Sequence, residues 1–476
     1  MSLKTITKKL LPKSILNLRH LFYAWLGSVI YRRPSEKMYV IGVTGTSGKS
    51  SVVYFLRQLL ENSGYKVGAL STIEFCVAEK CRLNDKKMTM LGKIAIQKYL
   101  RQMADEGCNI AIVETTSEGR VQHRHQFINY DMMVLTNLYS EHIESHGSFE
   151  NYKQAKLDIF EYVSKCEKKK LCSLSVIPRS LKATSESRRF ESESRDCKGT
   201  LIPLWRGDGS EEPRNDIIGK IAVVNNESEY KDEFLKFNFE KKIGFGKGGE
   251  FAPMNSIISE NGIGFNMGSK FFSAKLFGQY NIMNISAVIA VARALGIDWD
   301  TILKAVNGFE GVPGRIEFIP EAVTSGFQVI VDYAFEPVAM AELYKVAKML
   351  KPRKIIHVFG STGGGRDADR RAKLGDFIGK NADICLITDE DPYDDNPQEI
   401  IDEVAKAVEQ SGKEEGEDLF KILDRGEAIR KAVSLSQKDD LILITGKGSE
   451  QAMVVKGKLI PWDDRTAVRE ALRHKT

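Results

Sequence analysis

Cysteine is sparse in this sequence, and no two cysteines form a C-x-x-C pair. Seven are scattered along the chain, at Cys76, Cys81, Cys108, Cys166, Cys172, Cys197 and Cys385. Their odd number and spread argue against a structural zinc site or a disulfide framework, and fit a reducing cytoplasm. A strong excess of charge is missing too. The formal net charge is +5 over 476 residues, which excludes a surface given over wholesale to nucleic acid. No uninterrupted apolar run is long enough to span a membrane. The nearest candidate, residues 15–31 (ILNLRHLFYAWLGSVIY), is broken by Arg19 and His20. No small-residue cleavage site follows it, so it does not read as a signal peptide. A repeat of fixed period is also absent.

An apolar fraction of 42% provides ample material for a core. The length suits two or three domains at roughly 100–200 residues each. Charge is unevenly placed. Residues 1–37 carry eight Lys/Arg and one Glu, 8 − 1 = +7, so the remainder is slightly acidic. A basic flank with Leu, Phe, Tyr and Trp suits a helix lying on an anionic membrane surface. A helix packed on the protein itself fits the pattern equally.

Further along, short apolar runs alternate with helical spacings. Residues 38–43 (MYVIGV), 66–73, 110–114 and 132–136 read as strands, and residues 51–62 and 91–106 as helices. Gly64 suits the C-terminal cap of the first helix. Residues 164–218, rich in Ser, Arg and Glu, read as a solvated insertion. A strand resumes at 221–224, and 256–277 suggests hairpin strands. A second alternating unit begins near Gly314. Its strands fall at 328–333, 354–359, 383–388 and 441–445, and its helices at 337–350, 369–379 and 397–411. The expected fold class is α/β. A central P-loop ATPase-like domain with a parallel sheet occupies residues 38–313, and a C-terminal Rossmann-like domain occupies 314–476. The basic segment 1–37 precedes both.

The segment Gly42–Ser50 (GVTGTSGKS) lies between the first strand and its helix. Glycines let backbone N–H groups turn inward, and with the helix N-terminus they attract phosphate oxygens. Lys49 would neutralise the terminal phosphates, and the Ser50 hydroxyl would reach phosphate or Mg²⁺. The strict pattern G-x-x-x-x-G-K-[ST] needs glycine at position 43, where Val43 stands. Such a loop marks ATP binding without saying what the ATP is for. Glu114 ends an apolar strand, where a carboxylate faces a crevice or simply caps the surface. His142 and His146 read as metal ligands or as ordinary loop residues.

Taken in order, these segments resemble the Mur ligase family, and within it the muramyl-tripeptide synthetases. Gly45-Thr46-Ser47-Gly48-Lys49-Ser50 matches the family's G-T-x-G-K-[ST]. Residues 114–124 (ETTSEGRVQHR) are similar to E-V-S-S-H-G-x-x-Q-x-R, and residues 136–147 (TNLYSEHIESHG) to T-N-L-x-x-D-H-L-D-x-H-G. Residues 151–160 resemble the helix that carries a carbamylated lysine, here Lys156. Gly278, Asn281 and Asn284 match G-x-x-N-x-x-N, and residues 314–317 match G-R-x-E. Asp332-Tyr333-Ala334, residues 360–371 and residues 446–450 (GKGSE) continue the match to near the end of the chain.

The resemblance implies an ATP-dependent ligase of peptidoglycan synthesis. ATP would phosphorylate a carboxylate of a muramyl-peptide acceptor, and an amino acid's amine would then displace phosphate. Gly45, Thr46, Ser47, Gly48, Lys49 and Ser50 would bind ATP, with Asn281, Arg315 and Asp332 at its sugar or base. Ser50 and Glu114 would hold one Mg²⁺, and His142 with carbamylated Lys156 a second. Thr89, Ser117, Gln122 and Arg124 would face the muramyl peptide. Arg371, Asp391, Tyr393, Gly446 and Glu450 would face the incoming amino acid.

The chain also departs from the family. The usual UDP-binding domain ahead of the loop is not matched. UDP would then be held differently, or the acceptor would be lipid-linked, or a partner would supply the domain. Where diaminopimelate-adding members show D-N-P-R, this chain has Asp391-Pro392-Tyr393. Losing an arginine that clamps a carboxylate, beside Asp394 and Asp395, points to lysine or another basic amino acid ahead of diaminopimelate. Glu141 replaces an Asp, and Phe335 and Ser449 each replace a His. Two other enzyme readings are a folylpolyglutamate-synthase-like ligase and a lipid-linked or poly-γ-glutamate ligase. A reading of another class is a membrane-associated ATP-binding regulatory protein. The expected setting is a cytoplasmic monomer that binds no nucleic acid, with residues 1–37 either touching the inner face of the membrane or packed on the protein itself.

Overall fold

A computed structural model of the chain describes residues 13–139, 146–170, 217–364 and 368–475. Ten strands belong to the first part. They are β1 (Tyr39–Thr44), β2 (Val67–Leu70), β3 (Glu74–Val77), β4 (Lys80–Leu83), β5 (Ile110–Glu114), β6 (Met132–Leu135), β7 (Lys169–Lys170), β8 (Ile217–Ile218), β9 (Ile221–Asn225) and β10 (Lys241–Phe245). Apart from the short β7–β8 pair, they form one sheet in the order β10-β9-β6-β1-β5-β2-β3-β4. From β10 to β2 all pairings are parallel. The edge β2-β3-β4 is antiparallel, a hairpin that the sequence pattern does not announce.

Successive side chains of a strand point to opposite faces. Tyr39, Ile41 and Val43 of β1 therefore enter one core, with the helices Lys49–Asn62 and Tyr280–Ala294. Val40 enters the other core, with the helices Lys93–Asp105 and Phe149–Ser164. This burial on both faces explains why β1, β5 and β6 read as continuous apolar runs.

Strands β11 (Met254–Ser259), β12 (Gly262–Met267) and β13 (Lys270–Ala274) form an antiparallel sheet where hairpins are expected. A second large sheet follows. It contains β14 (Glu317–Phe318), β15 (Gln328–Asp332), β16 (Ile355–Phe359), β17 (Ile384–Ile387), β18 (Leu419–Lys421) and β19 (Leu441–Thr445). Its order is β14-β15-β19-β16-β17-β18, parallel except at β14. A small hairpin, β20 (Ala452–Val455) and β21 (Lys458–Pro461), comes next.

The helix Lys13–Ile30 packs on the helix Lys93–Asp105 through Ala24, Gly27 and Ser28. A Cβ on Gly27 would lie 3.1 Å from the Ile94 Cα, so this narrow face needs glycine. Its outer face stays apolar, with Leu18 69%, Phe22 52% and Trp25 45% exposed. No helix among the described residues is long and apolar enough to cross a membrane.

One expectation is corrected. Cys76 and Cys81 lie directly opposite each other in β3 and β4 and form a disulfide. Hairpin register creates this pair, and a five-residue spacing does not reveal it by itself. Residues 171–216 of the expected insertion lie outside the described residues, as do Glu141 and His142.

Candidate functional site

The turn after β1 sits at the carboxyl end of the central parallel sheet, where open α/β sheets bind ligands. Gly45 has φ +149° and Gly48 φ +76°. A Cβ on Gly45 would collide with Thr136, and one on Gly48 with Asn284. Neighbouring strands fix the turn further. Asn137 Oδ1 accepts from the Thr46 and Ser47 backbone amides at 3.1 and 2.9 Å. Thr136 donates to the Ser47 carbonyl at 2.6 Å, and the Tyr152 hydroxyl to Thr46 Oγ1 at 3.1 Å. Asn284 donates to Asn281 Oδ1 at 3.0 Å, which joins both predicted family asparagines to this corner. Lys49 Nζ donates to the Thr46 carbonyl at 2.8 Å.

Ser50 opens the helix Lys49–Asn62 and donates to both Glu114 oxygens, at 3.1 and 3.0 Å. Glu114 Oε2 also accepts from the Thr72 amide at 2.7 Å and the Thr72 hydroxyl at 3.1 Å. Thr72 Oγ1 in turn lies 3.0 Å from Thr89 Oγ1. The buried carboxylate and hydroxyl supply hard oxygen donors at a helix N-terminus, a set that suits Mg²⁺. Lys156 is 1% exposed and donates to the Gly45 carbonyl at 2.7 Å. It therefore adjoins the loop, and a carbamate on Nζ would keep one N–H able to make that bond. Its expected partner, His142, lies outside the described residues. His146 instead meets Ser117 Oγ at 3.1 Å.

Arg124 donates to the Met90 carbonyl and, at 2.8 Å, to Gln122. Thr89, Ser117, Gln122 and Arg124 thus line the ground beside Glu114. The buried Arg124 Nε has no partner among the described residues. A buried unmet donor calls for a ligand or water.

The second half approaches through its own loops. Gly314, at φ +64°, lies so close to the Gly448–Ser449 backbone that a side chain would clash. Arg315 stacks on Tyr333 at 4.2 Å. Both Asp332 oxygens accept backbone amides, from Ile316 and Ala334 at 2.6 Å each. Asp332 thus ties the first residues of the second half to the end of β15. Asp391 Oδ1 accepts from the Val454 amide at 2.7 Å. Lys447 Nζ lies 3.0 Å from Asp391 Oδ2 and 2.7 Å from Glu450 Oε2. Lys87, from the β4 side of the molecule, pairs with the same two carboxylates. Glu390 is buried behind them against Gly446, and burial pushes its carboxyl up to about 7. Arg371 donates to Glu403 at 2.6 Å and the Thr362 carbonyl at 3.0 Å. Its buried Nε has no partner among the described residues. Tyr393, at φ +53°, ties its amide to the Val454 carbonyl at 3.1 Å.

Lys87 and Lys447 escape the sequence reading as site residues. Lys447 stands inside the quoted GKGSE motif, which offered a signal. Lys87 offers only a Lys-Lys doublet shortly before Thr89.

A family model for the Mur ligase middle domain matches residues 43–194. Another, for the Mur ligase glutamate ligase domain, matches residues 314–448. The chain is 31% identical over 461 residues to UDP-N-acetylmuramyl-tripeptide synthetase of Treponema denticola, covering 94% of this chain and 78% of that protein. It is 28% identical over 455 residues to UDP-N-acetylmuramoyl-L-alanyl-D-glutamate–2,6-diaminopimelate ligase 2 of Clostridium acetobutylicum, covering 94% and 81%. Among solved structures, folylpolyglutamate synthase of Mycobacterium tuberculosis complexed with ADP has a TM-score of 0.60 at 17% identity, covering 90% and 91%. That last likeness is one of fold.

Proposed function

Because this chain belongs to the Mur ligase family and is an ATP-dependent amide-forming ligase, we propose that it adds a basic amino acid, lysine first, to a muramyl-peptide carboxylate. The observation that carries the choice of amino acid is the carboxylate pair Asp391–Glu450, which already gathers two lysine ammonium groups. Carboxylates arranged this way suit a cationic side chain. The unmet Nε of Arg371 and of Arg124 supports carboxylate contacts on the two sides of the reaction.

The residues divide the work. Backbone amides of the 45–50 turn and the ammonium of Lys49 hold the triphosphate. Ser50 and Glu114 would hold Mg²⁺, which when bound neutralises phosphate charge. Lys156 in carbamylated form, with His142, would hold a second ion. The acceptor's carboxylate oxygen bonds to the γ-phosphorus and ADP leaves, giving an acyl phosphate. The amine then attacks the acyl carbon, phosphate departs with the electron pair, and the amine gives up a proton. Closure of the two halves excludes water from this hydrolysable intermediate. Phosphate release from ATP, measured with UDP-N-acetylmuramoyl-L-alanyl-D-glutamate and a panel of amino acids, tests the reading. Lysine should stimulate most. Faster release with diaminopimelate contradicts the choice of lysine.

The same proposal places the enzyme as a monomer at the cytoplasmic face of the membrane. The exposed Leu18, Phe22 and Trp25, with Arg19, Arg32 and Arg33 also exposed, support contact with anionic lipid. Replacing the three apolar residues with Ser should abolish co-sedimentation with anionic liposomes. Unchanged sedimentation contradicts it.

A further inference from the structure

The loop between β4 and the helix Lys93–Asp105 does something that the ligase reading leaves unexplained. It sends Lys87 across to the C-terminal half. The Lys87 ammonium sits against Asp391 Oδ2 and lies 3.1 Å from Glu450 Oε2. Its side chain is only 9% exposed. Lys87 also holds φ +48°, a left-handed conformation that a non-glycine residue seldom adopts without compensation. Lys447 faces the same carboxylates but is fully buried and fixed by a third bond, to the Ala452 carbonyl at 2.8 Å.

Charge counting separates the two lysines. Asp391 and Glu450 carry two negative charges, with the buried Glu390 behind them pushed toward its neutral form, and the immobile Lys447 answers one. A single cation place remains, and Lys87 fills it. Two further ammonium groups would leave an excess positive charge in a mostly buried site, which is costly.

We propose that Lys87 is an internal stand-in for the substrate's side-chain ammonium, filling the Asp391–Glu450 place until the amino acid displaces it and so deciding which amino acids are admitted. This rests on the reading that these carboxylates receive the incoming amino acid. An amine tied into these ion pairs is not free to attack. The other amine of the substrate is therefore the one joined to the acceptor. An amino acid with a neutral side chain has nothing to exchange for Lys87 and leaves the place closed. A tethered ammonium competes at an effective concentration on the order of millimolar, so a free amino acid meets a real threshold. Displacement also frees the loop two residues before Thr89, which touches Thr72 and through it Glu114.

The test is calorimetric titration of the full chain with L-lysine and with L-norleucine, its near-isostere without the ammonium. Wild type, Lys87→Met and Lys87→Arg are compared, with Lys87→Gln in reserve should Lys87→Met fail to fold. Lys87→Met should bind L-lysine about tenfold more tightly than wild type, because the cost of displacement is gone. Lys87→Arg should bind it no more tightly, and L-norleucine should not distinguish the three. Equal or weaker L-lysine binding by Lys87→Met makes Lys87 a mere tie between the halves and overturns the proposal, while leaving the ligase reading intact. Absence of L-lysine binding in every form overturns both the proposal and the choice of lysine as substrate.

Discussion

Glu114 is the residue on which the proposed phosphate site turns. It takes the Ser50 hydroxyl and both donors of Thr72, so its carboxylate is aimed before any ion arrives. Glu114→Gln keeps the shape but loses the anion. The ligase rate should fall roughly 100-fold, with a higher Mg²⁺ concentration needed for half-activity, in a steady-state titration. Lys156 makes a sharper case. Its burial beside the Gly45 carbonyl suits a group that acts on the loop. Lys156→Ala should lose most activity, and added formate or acetate should restore part of it by standing in for the carbamate. Full activity in Lys156→Ala rules the carbamate out. Residues such as Lys49, Ser50 and Glu114 were legible because each sits in a local motif beside a recognisable strand. Lys87 was not, because its meaning comes from Asp391, which is 304 positions away.

Elements were legible in proportion to how evenly they are buried. β5 and β19 run as continuous apolar segments, and the structure places them at Ile110–Glu114 and Leu441–Thr445, as read. The hairpin β3–β4 was missed because β4 is mostly exposed and has no apolar alternation to follow. Its Cys76–Cys81 bond was missed with it. Strand β16 carries a pH dependence. His357 is wholly buried between Tyr344 and Thr445, at 2.8 and 3.0 Å, and burial with Arg425 nearby holds its imidazole down at about 3. The unfolded chain takes up a proton near the ordinary histidine value, and the folded chain resists it. Stability from this residue is therefore fully present above about pH 6.5 and is lost as pH falls toward about 3. The melting temperature of wild type should drop over that window, and His357→Gln should show a shallower drop. Parallel curves for the two proteins contradict the assignment.

At the scale of the whole molecule, two α/β halves are tied by the ion pairs of Lys87 with Asp391 and Glu450, and at the start of the second half Gly314 is pressed on the 448–449 backbone where only glycine fits. Lys87 crosses between them, and its carboxylate partners lie one short loop from the Thr89–Thr72–Glu114 chain. On the reading proposed above, this layout would join a phosphate site to carboxylates that receive a cation, as a ligase that activates one substrate and delivers another requires. The outward apolar face of the Lys13–Ile30 helix adds a surface with no part in that chemistry. The central claim is that this chain makes an amide bond between a muramyl peptide and a basic amino acid. Its most direct test is mass spectrometry of a reaction holding the full chain, ATP, Mg²⁺, L-lysine and UDP-N-acetylmuramoyl-L-alanyl-D-glutamate. The account predicts an acceptor heavier by one lysine less one water, with one phosphate released per product. Phosphate release that ignores the amino acid and leaves the acceptor unchanged would contradict it.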